Sequence, residues 1–415
     1  MKYVVVSHIV ILLLVSCCHY YSPFCHGFTI GSNNNNNNKN KVRTNVVLFQ
    51  EEVQSQPREA VAASWGQTLL NIALTSPVWK YWLVPQARAN IVKTAEANGI
   101  PWNTCYSWLQ QQDGPWNDNN TLKLGNNIPL YYQQPFHAYE DGNLCWEAAM
   151  EQELASRAVG VRNFPSYGKN GEDAFRDAFD ITFTQQCGAT TPLPNDAIIV
   201  DLGCGTGTST RRLAMNHPTA SQIIGIDLSP YMIAVGNRLL ELAPNNNNWV
   251  TSIQPDHRLT LQVGDATNTP LDDASVDVVH VGLVLHELPI DISKQIINEA
   301  HRILKPNGGQ LWISEMDFDS PAFQKQRSNP LLFSLIRSTE PYLDVYADGC
   351  YQIRNHVRTK FQKVTIAAAT GRHYAMVAIK NTTNEQSCDY QDKRFRSDGT
   401  YAVSDTHLKT WESKK

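Results

Sequence analysis

Between residues 198 and 380, apolar runs and helix-period stretches alternate along the chain. Residues 198–200 (Ile-Ile-Val) form a continuous apolar run that ends on Asp201, and a second run, 223–226, ends on Asp227. Between them lie the glycine-rich residues 203–207 and a helix-compatible stretch, so the order reads strand, tight turn, helix, strand. Leu259, Leu261 and Val263 alternate with polar residues, as a half-exposed edge strand does, whereas the nearly solid apolar run 278–285 suits the centre of a sheet. Residues 311–314 predict a fifth strand, and residues 361–369 and 373–380, around the turn 370–372, predict a closing antiparallel hairpin. Two helices between strands are well marked. One has Ser229 as N-cap, Pro230 at its first position and Met232, Val235, Leu239 and Leu242 on one face. The other carries Ile292, Ile296, Ala300, Ile303 and Leu304 and stops at Pro306. Strands alternating with helices imply a parallel sheet with right-handed crossovers.

Residues 60–185 carry no strong strand signal. Helices are predicted over 66–73, over 78–98 with a kink at Pro85, and over 144–159; the Trp-, Asn- and Gly-rich segment 100–127 reads as loop. Residues 131–141 (Tyr-Tyr-Gln-Gln-Pro-Phe-His-Ala-Tyr-Glu-Asp) are dense in aromatic, imidazole and carboxylate groups. They read equally as a substrate lid or as a partly buried aromatic loop. A further helix is expected around 331–337, and residues 381–415 read as a polar tail.

Composition adds a leader and a charge balance. Residues 1–27 pair Lys2 with a short apolar run, 9–15, too short to span a bilayer, and read as a signal peptide. Residues 28–58 begin with Phe28 and hold Lys39, Lys41, Arg43 and six consecutive asparagines, with no acid before Glu51; they read as a transit peptide and linker. The tandem resembles the bipartite presequences of algae whose plastids lie behind extra membranes, which implies plastid import; simple secretion is the alternative. With 35 basic and 39 acidic residues overall, and four of the bases in residues 1–50, the rest of the chain is acidic. That argues against a nucleic-acid partner. The cysteines beyond the leader form no CxxC and no zinc pattern, so free thiols and no metal are expected.

A glycine turn between strand and helix lets a ligand approach the backbone, and an acid closing the next strand can accept hydrogen bonds from a ribose. A dinucleotide fingerprint would need a third small residue one position beyond Gly207, where Thr208 stands. The pattern Asp201, Gly203, Gly205, Gly207 instead resembles motif I of the class I S-adenosylmethionine-dependent methyltransferases. The resemblance continues in register through Asp227, through Gly264-Asp265-Ala266, through residues 276–279 and through residues 299–309. It implies a Rossmann-like α/β fold with a seven-stranded, mostly parallel sheet in the order 3-2-1-4-5-7-6, its last strand antiparallel. A helical cap over 59–185 would precede a methyltransferase domain over 186–380.

The resemblance also implies roles. The backbone of Gly203, Cys204, Gly205, Thr206 and Gly207 would approach the methionine part of S-adenosyl-L-methionine, and Asp201 would answer its amino group or order the turn. Asp227, beside Leu228, would hold the ribose, and Asp265 with Ala266 would read the adenine. Outside those motifs, residues 136–146 and 338–344 look like those of uncharacterised plastid small-molecule methyltransferases of plants and algae, and the core is similar to quinone C-methyltransferases. A small organic acceptor is therefore expected. Ligands in open parallel sheets lie beyond the carboxyl ends of the strands. That position makes His286 the leading candidate base, because histidine titrates near neutral pH. Glu287 stands beside it, Glu315 and Asp317 at the end of the fifth strand, and His137, Tyr139 or Glu140 could reach over from the preceding segment; His280, inside its strand, reads as core. A nicotinamide-dependent oxidoreductase, or a non-catalytic cofactor-binding module on the same fold, is the competing reading. Oligomeric state has no signal in the sequence.

Overall fold

The computed structural model describes residues 84–117, 128–137, 139–242, 249–329, 333, 339–381 and 387–402. The leader, the helix expected over 66–73 and nearly all of the one expected over 331–337 lie outside them. Eight strands form one sheet in the order β3-β2-β1-β4-β5-β7-β6-β8. They are β1 (Ile198–Leu202), β2 (Gln222–Asp227), β3 (Leu259–Val263), β4 (Val278–Gly282), β5 (Gly309–Met316), β6 (Lys363–Ala368), β7 (His373–Lys380) and β8 (Asp389–Asp392). Strands β1 to β5 pair in parallel, and β7 runs antiparallel between β5 and β6. The expected strand order is present, with one correction: the sheet has eight strands, not seven.

The eighth strand comes from the segment read as a polar tail. Asp389–Asp392 pairs in parallel with β6. Its sequence, Asp-Tyr-Gln-Asp, leaves no buried face to advertise, because an edge strand needs only its backbone to pair. Just beyond it, the buried Arg394 binds Asp317, Asp319 and Asp392, and the Tyr401 hydroxyl donates to Asp317 at 2.7 Å. The tail thereby locks the end of β5.

Side chains alternate between the two faces of the sheet. Ile199, Ile223, Val278 and Trp312 face one layer, where Phe175, Phe179 and Phe183 cover them; Val200, Ile224, Val279 and Leu311 face the other. The first layer is built by α4 (Gly171–Ile181) and α5 (Thr208–Asn216), and the second by α7 (Ile290–Ile303) and α9 (Leu343–Lys360). Neither α4 nor α9 was foreseen, although Phe175, Ala178 and Phe179, and Leu343, Tyr346, Cys350, Ile353 and Val357, recur at helical spacing.

Ahead of the sheet stand α1 (Val84–Ala97), α2 (Trp102–Gln110) and α3 (Trp146–Asn163). Pro85 lies in the first turn of the described part of α1, and residues 78–83 of the helix expected over 78–98 lie outside the described residues. Residues 102–110, expected as loop, are helical because Trp102, Cys105 and Leu109 stack on one buried face. These helices share a core with Tyr231, Met232, Val235 and Leu239 of α6 (Pro230–Leu242), which anchors the cap to the sheet domain. The short α8 (Pro321–Arg327) follows β5.

Candidate active site

The turn after β1 is held open by backbone geometry. Gly203, Gly205 and Gly207 have φ of 76°, 54° and 85°, a region that L side chains rarely adopt. A Cβ on Gly203 would lie 2.6 Å from Cγ2 of Val284, and one on Gly207 2.8 Å from Cδ1 of Leu261. Glycine is required twice over, by conformation and by space. Cys204 and Thr206 contribute backbone here, since both side chains are buried; the Cys204 thiol is pushed well above its usual pKa by burial, then by the charges of Asp227 and Asp201.

Asp201 orders this turn. Ser209 and Thr210 of α5 donate to its Oδ2 at 2.6 and 2.7 Å, and Nδ1 of the buried His280 lies 2.7 Å from Oδ1. Burial pushes this carboxyl up, but the His280 contact and the two hydroxyls outweigh it and hold Asp201 below the usual range. His280, placed in the core by the sequence, thus joins strand to turn to helix.

Asp227, at the end of β2, does the same one strand over. Its Oδ2 accepts the Gly205 N–H at 2.9 Å, and its Oδ1 accepts the Ser229 N–H at 2.8 Å and the Tyr132 hydroxyl at 3.2 Å. Ser229 caps α6 as expected, accepting the Met232 N–H at 3.2 Å. Leu228 is half-buried beside it. After β3, the Asp265 carboxylate accepts the Thr267 N–H and hydroxyl at 2.8 and 2.7 Å, and Ala266 packs on the core. Thus the predicted cofactor residues converge on the carboxyl ends of β1, β2 and β3.

Two residues that the sequence did not single out complete this half. Gln152, on α3, accepts the Thr206 hydroxyl at 2.6 Å and sets its amide nitrogen 3.1 Å from where a Cβ of Gly205 would be. Tyr132 touches the Asp227 oxygen itself. Nothing local marks Gln152, because α3 buries residues on nearly every side, including Glu151, Glu153 and Arg157.

The other half lies at the ends of β4 and β5. A single helical turn, Leu285–Glu287, follows β4. The His286 Nδ1 lies 2.7 Å from Oε1 of Glu315, whose Oε2 also accepts the Leu285 N–H at 2.9 Å and whose Oε1 accepts the Met316 N–H at 2.6 Å. Burial pulls the imidazole down, yet the Glu315 charge and hydrogen bond dominate and raise His286 to about 10. At neutral pH it is therefore already a cation and has no free lone pair with which to act as a base. Glu287 moves the opposite way: burial raises it to about 7, opposed by His286 and His137 and reinforced by Glu340 and Glu315. These shifts favour Glu287 over His286 as a proton acceptor.

From the aromatic segment, His137 donates its backbone N–H to the Thr339 carbonyl at 2.8 Å and sets Nε2 3.8 Å from Oε1 of Glu340. The Tyr342 hydroxyl donates to the Tyr131 carbonyl at 3.1 Å. Residues 131–137 therefore run from Tyr132 on Asp227, at the end of β2, to His137 beside Glu340. Tyr139 points away, its hydroxyl on Glu151 of the cap, and Glu140 is exposed. Asp317 is consumed by Arg394 and Tyr401.

Among the described residues no cluster of His, Cys, Asp or Glu could hold a metal ion, no helix is long and apolar enough to cross a membrane, and six cysteines are free thiols. What the first half does offer is a glycine cradle, the buried Asp227 carboxylate at the end of a strand, and a side-chain amide at the turn. That donor and acceptor set fits an adenosyl cofactor with an amino-acid tail.

Comparison with known proteins agrees. A family model described as a methyltransferase domain matches residues 200–312. A demethylmenaquinone methyltransferase of Lactiplantibacillus plantarum is 33% identical over 129 residues, covering 31% of this chain and 49% of the relative. An uncharacterised 37.1 kDa protein in a Streptomyces fradiae transposon is 33% identical over 121 residues, covering 29% and 30%. The chain thus spans half the length of these relatives or less. The crystal structure of an S-adenosylmethionine-dependent methyltransferase from Aquifex aeolicus aligns at a TM-score of 0.34 and 14% identity over 49% of this chain and 90% of that one. Residues 200–312 therefore match a methyltransferase domain, and S-adenosylmethionine is the cofactor that this match and the relatives support. The nicotinamide alternative is not favoured.

Proposed function

We propose that the chain methylates a small, quinol-like organic acceptor, with Glu287 taking the acceptor's proton. The observation that carries this reading is the half-buried Glu287 carboxyl, held near 7 at the end of β4. It lies three residues beyond Val284, which packs on the cofactor turn. The similarity to demethylmenaquinone methyltransferases supports the quinol-like class.

When bound, the cofactor supplies an electrophilic methyl group on a sulfonium. The protein's task is alignment and exclusion of water. The glycine turn and Gln152 would receive the amino-acid tail, where the helix start favours a carboxylate by roughly 0.3–1 kcal/mol. Asp227 would hold the ribose hydroxyls, and Asp265 with the Ala266 backbone the adenine edge. Residues 131–137 would cover the strand ends as a lid. On the acceptor side, an Oε of Glu287 would take the acceptor's proton as the nucleophile accepts the methyl group that the cofactor would supply. His286, as a cation paired with Glu315, stays protonated and fixes the turn on which Glu287 sits.

The test uses the full chain, radiolabelled methyl donor and a panel of reduced quinones, with S-adenosylhomocysteine binding followed by calorimetry. Label on a quinol in the wild type and none in Glu287→Gln is expected, with binding retained in both. Binding without label on any quinol would remove the acceptor class. We also propose that residues 1–58 direct import into a plastid; a fluorescent fusion of residues 1–60 would refute this by giving extracellular signal.

A further inference from the structure

We infer that Glu340, which stands just ahead of α9 and is bridged to the lid by His137, reads the acceptor, selecting one that offers a hydroxyl or ammonium group and no negative charge beside its nucleophile. This rests on the methyltransferase reading above and extends it to the acceptor's chemistry.

Glu340 belongs to no element that the glycine turn organises. The segment that carries it is stitched to the lid twice, through His137 N–H to Thr339 O at 2.8 Å and through Tyr342 hydroxyl to Tyr131 O at 3.1 Å. Its Oε1 faces Nε2 of His137 at 3.8 Å, beyond a direct hydrogen bond. Its Oε2 is buried and has no hydrogen-bond partner among the described residues. A buried carboxylate oxygen left without a donor is costly, by ~1–3 kcal/mol or more. Beside His137, and with Glu287 and His286 among the charges that bear on it, this oxygen is open to a ligand that brings the donor.

The surroundings determine which donor. The groups that bear most strongly on Glu340 and Glu287 are His137, His286 and each other, with Glu315 behind; no lysine or arginine is among them. His286 is already matched by Glu315. Burial would raise Glu340, but His137 and His286 hold it below the usual carboxylate range, so it stays ionised where Glu287 exchanges its proton. Two carboxylates whose environments push them apart take separate tasks. Glu287 accepts a proton, and Glu340 keeps its charge to hold a donor. An acceptor carrying a carboxylate or phosphate at this place would meet like charge in a site of low dielectric, whereas a hydroxyl or ammonium would complete the empty Oε2.

Three matched probes separate the cases: 4-ethylcatechol, dopamine and 3,4-dihydroxyphenylacetate, which share a ring and differ in charge. Each is titrated by ligand-observed NMR onto the full chain saturated with S-adenosylhomocysteine. We expect the neutral and cationic probes to bind at least about tenfold tighter than the carboxylate, a difference of the size that one like-charge contact imposes. In Glu340→Gln that preference should shrink to about twofold or less, and Glu340→Asp should keep its sign, with S-adenosylhomocysteine affinity unchanged in both. Equal or tighter binding of the carboxylate, a preference unchanged in Glu340→Gln, or no binding by any probe would overturn the inference. Failure of the wild type to bind S-adenosylhomocysteine would instead overturn the methyltransferase reading beneath it.

Discussion

The two halves of the site are built on opposite plans. In the cofactor half, the carboxylates are tied down by the protein's own donors: Asp201 is met by His280, Ser209 and Thr210, and Asp227 by Gly205, Ser229 and Tyr132, with acceptor capacity left over. Most of it is drawn from residues 201–229, joined by Tyr132, Gln152, Asp265, Ala266 and His280. In the acceptor half, Glu340 keeps an oxygen without a partner, His137 is exposed, and the parts come from residues 131–137, 285–287 and 339–342. A ligand common to a whole family can be served by a short, over-determined motif. One that differs between enzymes has to be met by segments free to vary, and loops carried on a rigid scaffold supply them.

The sharpest test of this contrast is chemical. Glu287→Gln should lower kcat by about 10²–10⁴-fold, the usual contribution of a general base. S-adenosylhomocysteine affinity should be unchanged. Because Glu287 is raised to about 7, wild-type kcat/KM should climb as pH rises through that value, and the glutamine variant should lose the step. A flat wild-type profile between pH 6 and 8 would show that no base of this kind is used.

Next in size is Asp227→Ala, which removes a charged acceptor from the ribose position and leaves the Gly205 and Ser229 N–H groups without their partner. At ~1.5–3 kcal/mol per hydrogen bond to a charged group, S-adenosylhomocysteine affinity should fall about 100-fold. Calorimetry reads it directly, and a loss below about threefold would mean that the ribose is held elsewhere. Gly207→Ala should follow, destabilising by ~1–3 kcal/mol because alanine must adopt φ near 85° against Leu261. A thermal melt that does not shift would show that the turn relaxes to admit a side chain.

A last test separates the halves by pH. His286 is raised from 6.5 to about 10 on folding, so its pairing with Glu315 stabilises the protein fully below pH 6.5 and is lost as pH rises through about 10. The difference in melting temperature between wild type and His286→Gln should therefore shrink across that window. A constant difference would place His286 as a neutral ring and restore it as a candidate base.

Much of the fold was legible because it is written in local periodicity. The apolar runs ending at Asp201 and Asp227, the solid run of β4 and the alternation of β3 each state their place in the sheet. Legibility failed where position depends on partners far along the chain. Strand β8 has no hydrophobic signal of its own, and its place is set by pairing with β6 and by the Arg394 cluster. Helix α2 was hidden by tryptophans and asparagines that look loop-like until Trp102, Cys105 and Leu109 are seen on one face.

For the site, the sequence by itself determined the cofactor. Glycines at 203, 205 and 207 and acids at 201 and 227 are demanded by backbone conformation and by the end of a strand, and both are local properties. Tertiary structure alone decided the acceptor side. It turned His286 from a base into a cation by placing Glu315 beneath it, left Glu287 as the group that titrates near neutrality, and brought Glu340 and Gln152 to the site from residues remote in the chain. The reason is that a side chain's charge follows from its burial and its neighbours, and neighbours across strands and loops leave no periodic trace in the order of residues.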